Sequence, residues 1–196
     1  MIKAVFYDIG GVLIDYPAQI MIDYYYQHFN NVEKQKFTAA HDRAINDFQK
    51  GIISEKEFWQ KVNSLLGTNI NVQEGTWLNG LKKAYKEKPD IFSHIKSLRK
   101  KGIKVGILSN IELPNMNFLK EKYKGKFDTA VYSCEENIIK PNKEIYQLAL
   151  NKLQVKLEET IFIDDKIINT EAAKKLGIHT ILFKTEKQYF EDFKKI

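Results

Sequence analysis

A chain of 196 residues, 43% hydrophobic and 29% charged, is long enough for one packed core with a modest insertion, and its composition is that of a soluble globular protein. The formal charge of +6 favours anionic partners, a small anionic substrate among them. Its lysines fall at helix-like spacing in "LKKAYKEK", "SLRKKGIK" and "AAKKLG", and the aromatic cluster "DYYYQHF" lacks the interleaved basic residues of a nucleic-acid surface.

From the N-terminus, "IKAVFYD" predicts a β-strand that ends at Asp8. The acid in this stretch and the lack of a small-residue cleavage pattern do not read as a signal peptide, and no run approaches the ~20 apolar residues of a membrane span, so a cytoplasmic protein is expected. Residues 16–88 contain no convincing strand and read as consecutive helices. Among them "SEKEFWQKVNSLLG" opens with the capping-box pattern Ser54…Glu57, carries apolar residues at helical spacing through Phe58, Val62 and Leu65, and stops at Gly67.

Beyond residue 88, helices and strands alternate. "DIFSHIKSLRKKG" reads as a helix and "IKVGILSN" as a strand, followed by a short irregular helical segment after Ser109-Asn110. "FDTAVYS", "ETIFIDD" and "IHTILF" read as strands, separated by the helices "NKEIYQLALNKLQ" and "NTEAAKKLG", and "EKQYFEDFKKI" as a closing helix. This order predicts an α/β fold with a parallel sheet, right-handed crossovers and helices on both faces. The helical block falls between the first two strands. The expected domains are a core of residues 1–15 and 89–196 and an inserted helical cap of residues 16–88, at the sheet edge where ligands bind. Such a block is placed to act as a lid, or it only enlarges the core. Cys134, the one cysteine, excludes an internal disulfide and reads as a small buried residue.

In a parallel sheet all strand C-termini point to one edge. Asp8, Ser109-Asn110 and Asp164-Asp165 should therefore converge there, with Lys140 just ahead of the helix before the fourth strand. Asp followed by Gly-Gly is ordinary turn chemistry by itself. The set as a whole matches phosphoryl transfer to a carboxylate, which needs a divalent cation and fixed positive charge to overcome the repulsion between two anions. On this reading Asp165, with Asp164 as a second candidate, holds Mg²⁺. Lys140 neutralises the phosphate and orients Asp8. Ser109, Asn110 and the backbone N–H groups near them and near Gly10-Gly11 bind phosphate oxygens, and Asn169 tethers the metal-bearing loop.

Taken in order, "YDIGGVL" with Asp8, "ILSN" with Ser109, "IIKP" with Lys140 and "FIDDKIIN" with Asp165 and Asn169 resemble the four motifs of the haloacid dehalogenase (HAD) superfamily of hydrolases, in the subgroup with a helical cap after the first strand. "KGIISEKEFW" and "NTEAAKKLGI" are similar to its sugar-phosphate phosphatase branch. The resemblance covers essentially the whole chain. It implies a Rossmann-like core, an aspartyl-phosphate intermediate on Asp8, and Mg²⁺ held by Asp8, the Gly10 carbonyl and Asp165. It also implies a small phosphorylated metabolite as substrate.

The departure is Gly10, where most phosphatases of the family carry a second Asp that protonates the leaving oxygen and then deprotonates water. Glycine keeps the backbone carbonyl and loses the acid, a contribution of ~10²–10⁴-fold. Asp15 is a nearby substitute on paper, although a hinge or helix-start role explains it as well. Three readings stay open. The first is a slow or selective Mg²⁺-dependent phosphatase. The second is a haloacid dehalogenase, which needs no leaving-group proton but has no metal for Asp164-Asp165 to bind. The third is a non-catalytic protein that binds a phosphorylated ligand or a partner. Substrate choice is expected in the cap, with His41, Arg43, Trp59 and Trp77 as candidates that are more readily explained as packing or surface residues. The oligomeric state is not legible.

Overall fold

Every residue of Ala4–Tyr7 is apolar and buried, the pattern of a parallel strand covered on both faces. In the computed structural model, which describes residues 1–15 and 18–196, this strand (β1) is followed by β2 (Ile14–Asp15), α1 (Ala18–Tyr26), α2 (Lys34–Gln49), α3 (Glu55–Leu66), α4 (Thr76–Ala84) and β3 (Lys86–Glu87). Then come α5 (Pro89–Lys100), β4 (Lys104–Ser109), α6 (Leu113–Lys122), β5 (Thr129–Tyr132), α7 (Ser133–Glu136) and α8 (Lys143–Leu153). The chain closes with β6 (Thr160–Asp164), α9 (Ile167–Lys175), β7 (His179–Leu182) and α10 (Glu186–Phe193).

The five long strands form one parallel sheet in the order β5-β4-β1-β6-β7. Tyr7 lies opposite Ile107 on one side and Ile163 on the other, so β1, β4 and β6 end together. Alternation along the strands divides the core into two layers. Val5, Tyr7, Ile107 and Ile163 face α5, α6 and α10 through Ile95, Leu119 and Tyr189, while Phe6, Leu108 and Phe162 face α8 and α9 through Tyr146, Leu150 and Ala173. The expected α/β fold with helices on both faces is the one observed.

Two local expectations need correction. The stretch after Asn110 is a regular ten-residue helix, α6, with a proline in its first turn and Met116 and Leu119 buried against the sheet. Pro114 fixes the φ of a helix start, a signal that outweighs the weak apolar stripe of "LPNMNFLKEK". Within residues 16–88, Lys86–Glu87 forms a strand after all, paired antiparallel with Ile14–Asp15. Two residues are too few to show any alternation.

Helices α1–α4 pack around aromatic rings. The capping box at α3 forms as expected: Ser54 Oγ accepts from the Glu57 N–H at 3.3 Å and Glu57 Oε2 accepts from the Ser54 N–H at 2.7 Å. At the first position of this helix, the buried Glu55 accepts from the Trp77 N–H at 2.8 Å and the Gly75 N–H at 3.1 Å. It thereby satisfies donors at the start of α4 that would otherwise be orphaned. Gly80 admits the Tyr25 ring, since a Cβ there would stand 2.4 Å from it. No helix among the described residues is long and apolar enough to cross a membrane.

Candidate active site

Asp8 follows β1, and its N–H donates to the Ile163 carbonyl of β6 at 2.9 Å, which pins it where the central strands end. Beside it lies Lys140, buried to 3% exposure, with Nζ 2.6 Å from Asp164 Oδ2, 2.8 Å from the Leu108 carbonyl and 2.9 Å from Asp8 Oδ1. An ammonium has three protons, and these three neighbours come from the ends of β1, β4 and β6. The Asp8 contact is an ion pair rather than a directed hydrogen bond. Burial opposes the lysine's charge, but Asp8 and Asp164 outweigh it and hold the ammonium above its ordinary pKa.

Asp164 is fully buried and already occupied. It accepts from Lys140, from the Lys166 N–H at 2.8 Å and from Asn169 Nδ2 at 3.0 and 3.1 Å. Its bonds fix Lys140 and the β6–α9 loop, and Asn169 acts on this loop through Asp164. Asp165 stands at the exposed rim. Partial burial, helped by the nearby Asp8 and Asp164 carboxylates, pushes its carboxyl up to about 6. Gly11 has φ +77, and a Cβ there would lie 2.6 Å from Asp165 Oδ2, so only glycine permits this approach.

Oxygen atoms of Asp8, Asp164 and Asp165 lie within 4.8 Å of one another. Three carboxylates against one ammonium leave negative charge to be balanced, and an all-oxygen donor set suits a hard cation such as Mg²⁺. Asp8, Gly10, Ser109, Asn110 and Asp165 line a cavity of ≈ 60 Å³, room for a phosphoryl-sized group and little more. The Asn110 carboxamide donates to the Lys140 carbonyl at 3.0 Å and accepts from the Lys140 N–H at 2.8 Å. Its side chain therefore positions the lysine loop through its oxygen and one of the two Nδ2 protons.

Other candidates sit elsewhere. Asp15, the paper substitute for the missing acid, is paired with Lys88, and Lys86 lies 3.6 Å away, at the junction of β2 and β3. These lysines hold its carboxyl below the usual range, unsuited to donating a proton near neutrality. Trp59 and Trp77 are buried among rings, His41 is stacked on Trp77 at 10°, and Arg43 is exposed. Cys134 is buried, and burial pushes its thiol up to about 12, in keeping with an inert residue. A larger cavity of ≈ 790 Å³ runs along α5 and residues 125–128, and Asp8, Lys140, Asp164 and Asp165 are not in its walls.

Sequence reasoning missed Glu112, two residues beyond Asn110 and 2% exposed. Its carboxylate accepts from Gln49 Nε2 of α2 at 2.9 Å, from Trp77 Nε1 of α4 at 2.9 Å and from Asn115 Nδ2 at 3.1 Å. A charged residue inside the apolar stretch "ILSNIELP" was the available signal; its partners lie 35 and 63 residues away in sequence. Nearby, Ser133 Oγ donates to the Gln49 carbonyl at 2.6 Å and Asn137 Nδ2 to the Lys50 carbonyl at 2.7 Å, so the end of α2 is bonded to the two ends of α7.

Residues 2–177 match the profile of a hydrolase family described as haloacid dehalogenase-like hydrolase. Over 189 residues, 91% of this chain, it is 31% identical to mouse (Mus musculus) acyl-CoA dehydrogenase family member 10, but it spans only 18% of that protein's length. The sesquiterpene phosphatase astK of Aspergillus oryzae is 26% identical, over 90% of this chain and 87% of that one. Among solved structures, HAD family enzyme bt-2542 of Bacteroides thetaiotaomicron, in complex with magnesium and inorganic phosphate, matches with TM-score 0.81 at 25% identity, over 98% of this chain and 100% of that one.

Proposed function

The chain belongs to the haloacid dehalogenase-like hydrolase family, and on that premise we propose that it is a Mg²⁺-dependent phosphatase that hydrolyses a small phosphomonoester through an aspartyl-phosphate on Asp8. The observation that carries this reading is the sharing of one buried ammonium, Lys140, between Asp8 and Asp164 beside the Asp165 carboxylate.

Asp8 attacks phosphorus, forming an O–P bond as the ester O–P bond breaks, and water then cleaves the acyl phosphate to return the carboxylate and release phosphate. Lys140 offsets charge on the phosphoryl group while keeping Asp8 ionised and oriented. Ser109 and the backbone N–H groups near it and near Gly10 and Gly11 receive phosphoryl oxygens, and Asn110 and Asp164 keep Lys140 in place. Asp8, the Gly10 carbonyl and Asp165 would hold Mg²⁺, whose charge lets two anions meet. The dehalogenase reading has no use for the Asp165 rim. Residues 16–88 serve as the cap of this enzyme, with the β2–β3 pair at its crossing to residues 1–15 and 89–196.

Hydrolysis of p-nitrophenyl phosphate by the parent protein and by Asp8→Asn, with and without Mg²⁺, tests the proposal. We expect metal-dependent turnover that vanishes in the variant; activity that survives in a clean preparation of the variant removes Asp8 from the mechanism. Because Gly10 offers no acid or base, the second half-reaction is unassisted, and nitrophenol should appear in a burst close to one per active site.

A further inference from the structure

Three side chains outside the site at Asp8 form a chain of hydrogen bonds through the layer that holds α5 and α10. The Tyr7 hydroxyl on β1 lies 2.8 Å from the Tyr189 hydroxyl on α10, which in turn lies 2.6 Å from Nδ1 of His94 on α5. Both tyrosines are fully buried, and among the described residues the Tyr7 hydroxyl has no other partner. We propose that this chain is a pH-sensitive latch, which holds α10 on the sheet while His94 is neutral and loosens it when His94 takes up a proton. It is independent of the phosphatase reading.

The latch works through the number of protons in the chain. There are two junctions, Tyr7 to Tyr189 and Tyr189 to His94, and each can hold one proton. With His94 neutral and its proton on Nε2, Tyr189 donates to Nδ1 and Tyr7 donates to the Tyr189 oxygen. Both hydroxyl protons are then placed. A proton on Nδ1 brings a third into the same two junctions. Nδ1–H donates to Tyr189, Tyr189 donates to Tyr7, and the Tyr7 proton is left without an acceptor in the interior, a penalty of roughly 5- to 150-fold on the docking equilibrium. Burial pushes both phenols up, so neither tyrosine relieves the excess by ionising.

The surroundings of His94 give its charge little support. Tyr189, Phe190 and Phe193 of α10 dock on the imidazole at centroid distances of 5.6, 5.4 and 4.7 Å. Ring faces attract an imidazolium, but they offer no place for the third proton. Among the described residues no carboxylate pairs with the ring: Asp192 of α10 is bonded to Gln188 and Lys195, and none of Asp90, Glu186 and Glu191 bonds to it. Burial first, and then the positive charge of Lys101 at the end of α5, hold the imidazole below its ordinary value. A base whose docked value is depressed leaves docking at full strength above the undocked value of about 6.5 and weakens it as pH falls below that.

The test is amide hydrogen exchange of α10 in the parent protein and in His94→Asn, whose carboxamide oxygen replaces Nδ1 as an acceptor and carries no charge. Once rates are referred to their intrinsic values, the parent's α10 amides should lose about 5- to 30-fold in protection between about pH 7.5 and about pH 5. The upper figure is the most that one group with an undocked value of about 6.5 can contribute over that interval. His94→Asn should show no such change. A second measurement needs no variant: ring nitrogen shifts of His94 in the parent should place the proton of the neutral form on Nε2, and the ring should titrate below the ordinary histidine value. A pH dependence of α10 that survives in His94→Asn overturns the inference, as does a neutral form with its proton on Nδ1 or titration at or above the ordinary value. Should the variant not fold, the tautomer and the titration of the parent's His94 decide by themselves.

Discussion

At the end of the sheet a single buried ammonium is held by two carboxylates and a carbonyl. The interior of α1–α4 is instead held by rings, with Tyr25, His41, Phe48 and Phe58 all packed on Trp77 at centroid distances of 4.7–5.6 Å. Directed contacts between charges in a buried site fix atoms, because an unpaired charge there is costly. Ring packing has broad geometric tolerance, ~0.5–1.5 kcal/mol per pair beyond area, and is set by volume and shape. One half of the molecule therefore fixes its atoms by charge, and the other tolerates changes of side chain without disturbing that cluster. The two halves share one apolar cluster, and a short set of polar contacts adds to it: Glu112 with Gln49 and Trp77, Ser133 with Gln49, and Asn137 with Lys50.

The sharpest way to break this contrast is Asp8→Asn. If chemistry resides wholly at the sheet edge, hydrolysis of p-nitrophenyl phosphate should fall below detection, while near-ultraviolet circular dichroism from the packed rings of α1–α4 stays unchanged. A changed aromatic spectrum would mean that the two regions are not separable. Next in size is Lys140→Met, which leaves two neighbouring carboxylates without their cation. We expect a loss of about 3–5 kcal/mol in urea unfolding of the metal-free protein. A variant as stable as the parent would show that Lys140 does not hold the cluster together.

The contact between the halves gives a smaller effect. Glu112→Gln keeps the shape but removes the charge that accepts from α2 and α4, and hydrogen bonds to charged groups contribute ~1.5–3 kcal/mol. Amide hydrogen exchange should speed up in α2 and α4 and stay unchanged in β4 and β6. Equal acceleration throughout would make Glu112 a general support of the fold.

The same contrast explains what was legible in the sequence. Strand runs such as "KVGILS" and "TIFID" carry their own burial pattern, and the alternation of strands and helices places their ends at one edge, so Asp8, Ser109, Lys140, Asp164 and Asp165 could be named together. The division of labour among them was less visible. That Asp164 is saturated by Lys140, Lys166 and Asn169 while Asp165 stands at the rim depends on distances that spacing does not encode. Glu112 was invisible as a joint because two of its three donors, Gln49 and Trp77, come from other elements, distant in sequence. The regularity of α6, read only as a short irregular helical segment, and the two-residue β2–β3 pair escaped for a local reason, too weak or too short a periodicity.

The smallest effect concerns the crossing itself. Asp15 at the end of β2 is ion-paired with Lys88, whose N–H also donates to the Leu13 carbonyl at 3.0 Å, so this pair closes the strand that leads into α1–α4 onto the one that leaves it. Its carboxyl is held below its ordinary value, first by the Lys88 hydrogen bond. A carboxyl with a depressed folded value contributes fully above its unfolded value of about 3.9 and loses that contribution as pH falls through the lower folded value. The Asp15 side chain is 44% exposed, so solvent and salt screen the pair and its worth lies within ~0–1 kcal/mol. Asp15→Asn should therefore be slightly less stable than the parent at pH 7, by an amount that shrinks in high salt and vanishes in strong acid, where the parent's carboxyl is also neutral. If the pair steadies the crossing, the variant should also show faster exchange at the Lys88 amide at neutral pH and parent-like exchange in acid, once each rate is referred to the intrinsic rate at that pH. A difference that persists unchanged into strong acid would mean that Asp15 acts through its shape or its backbone, and the charge at the crossing would carry no weight.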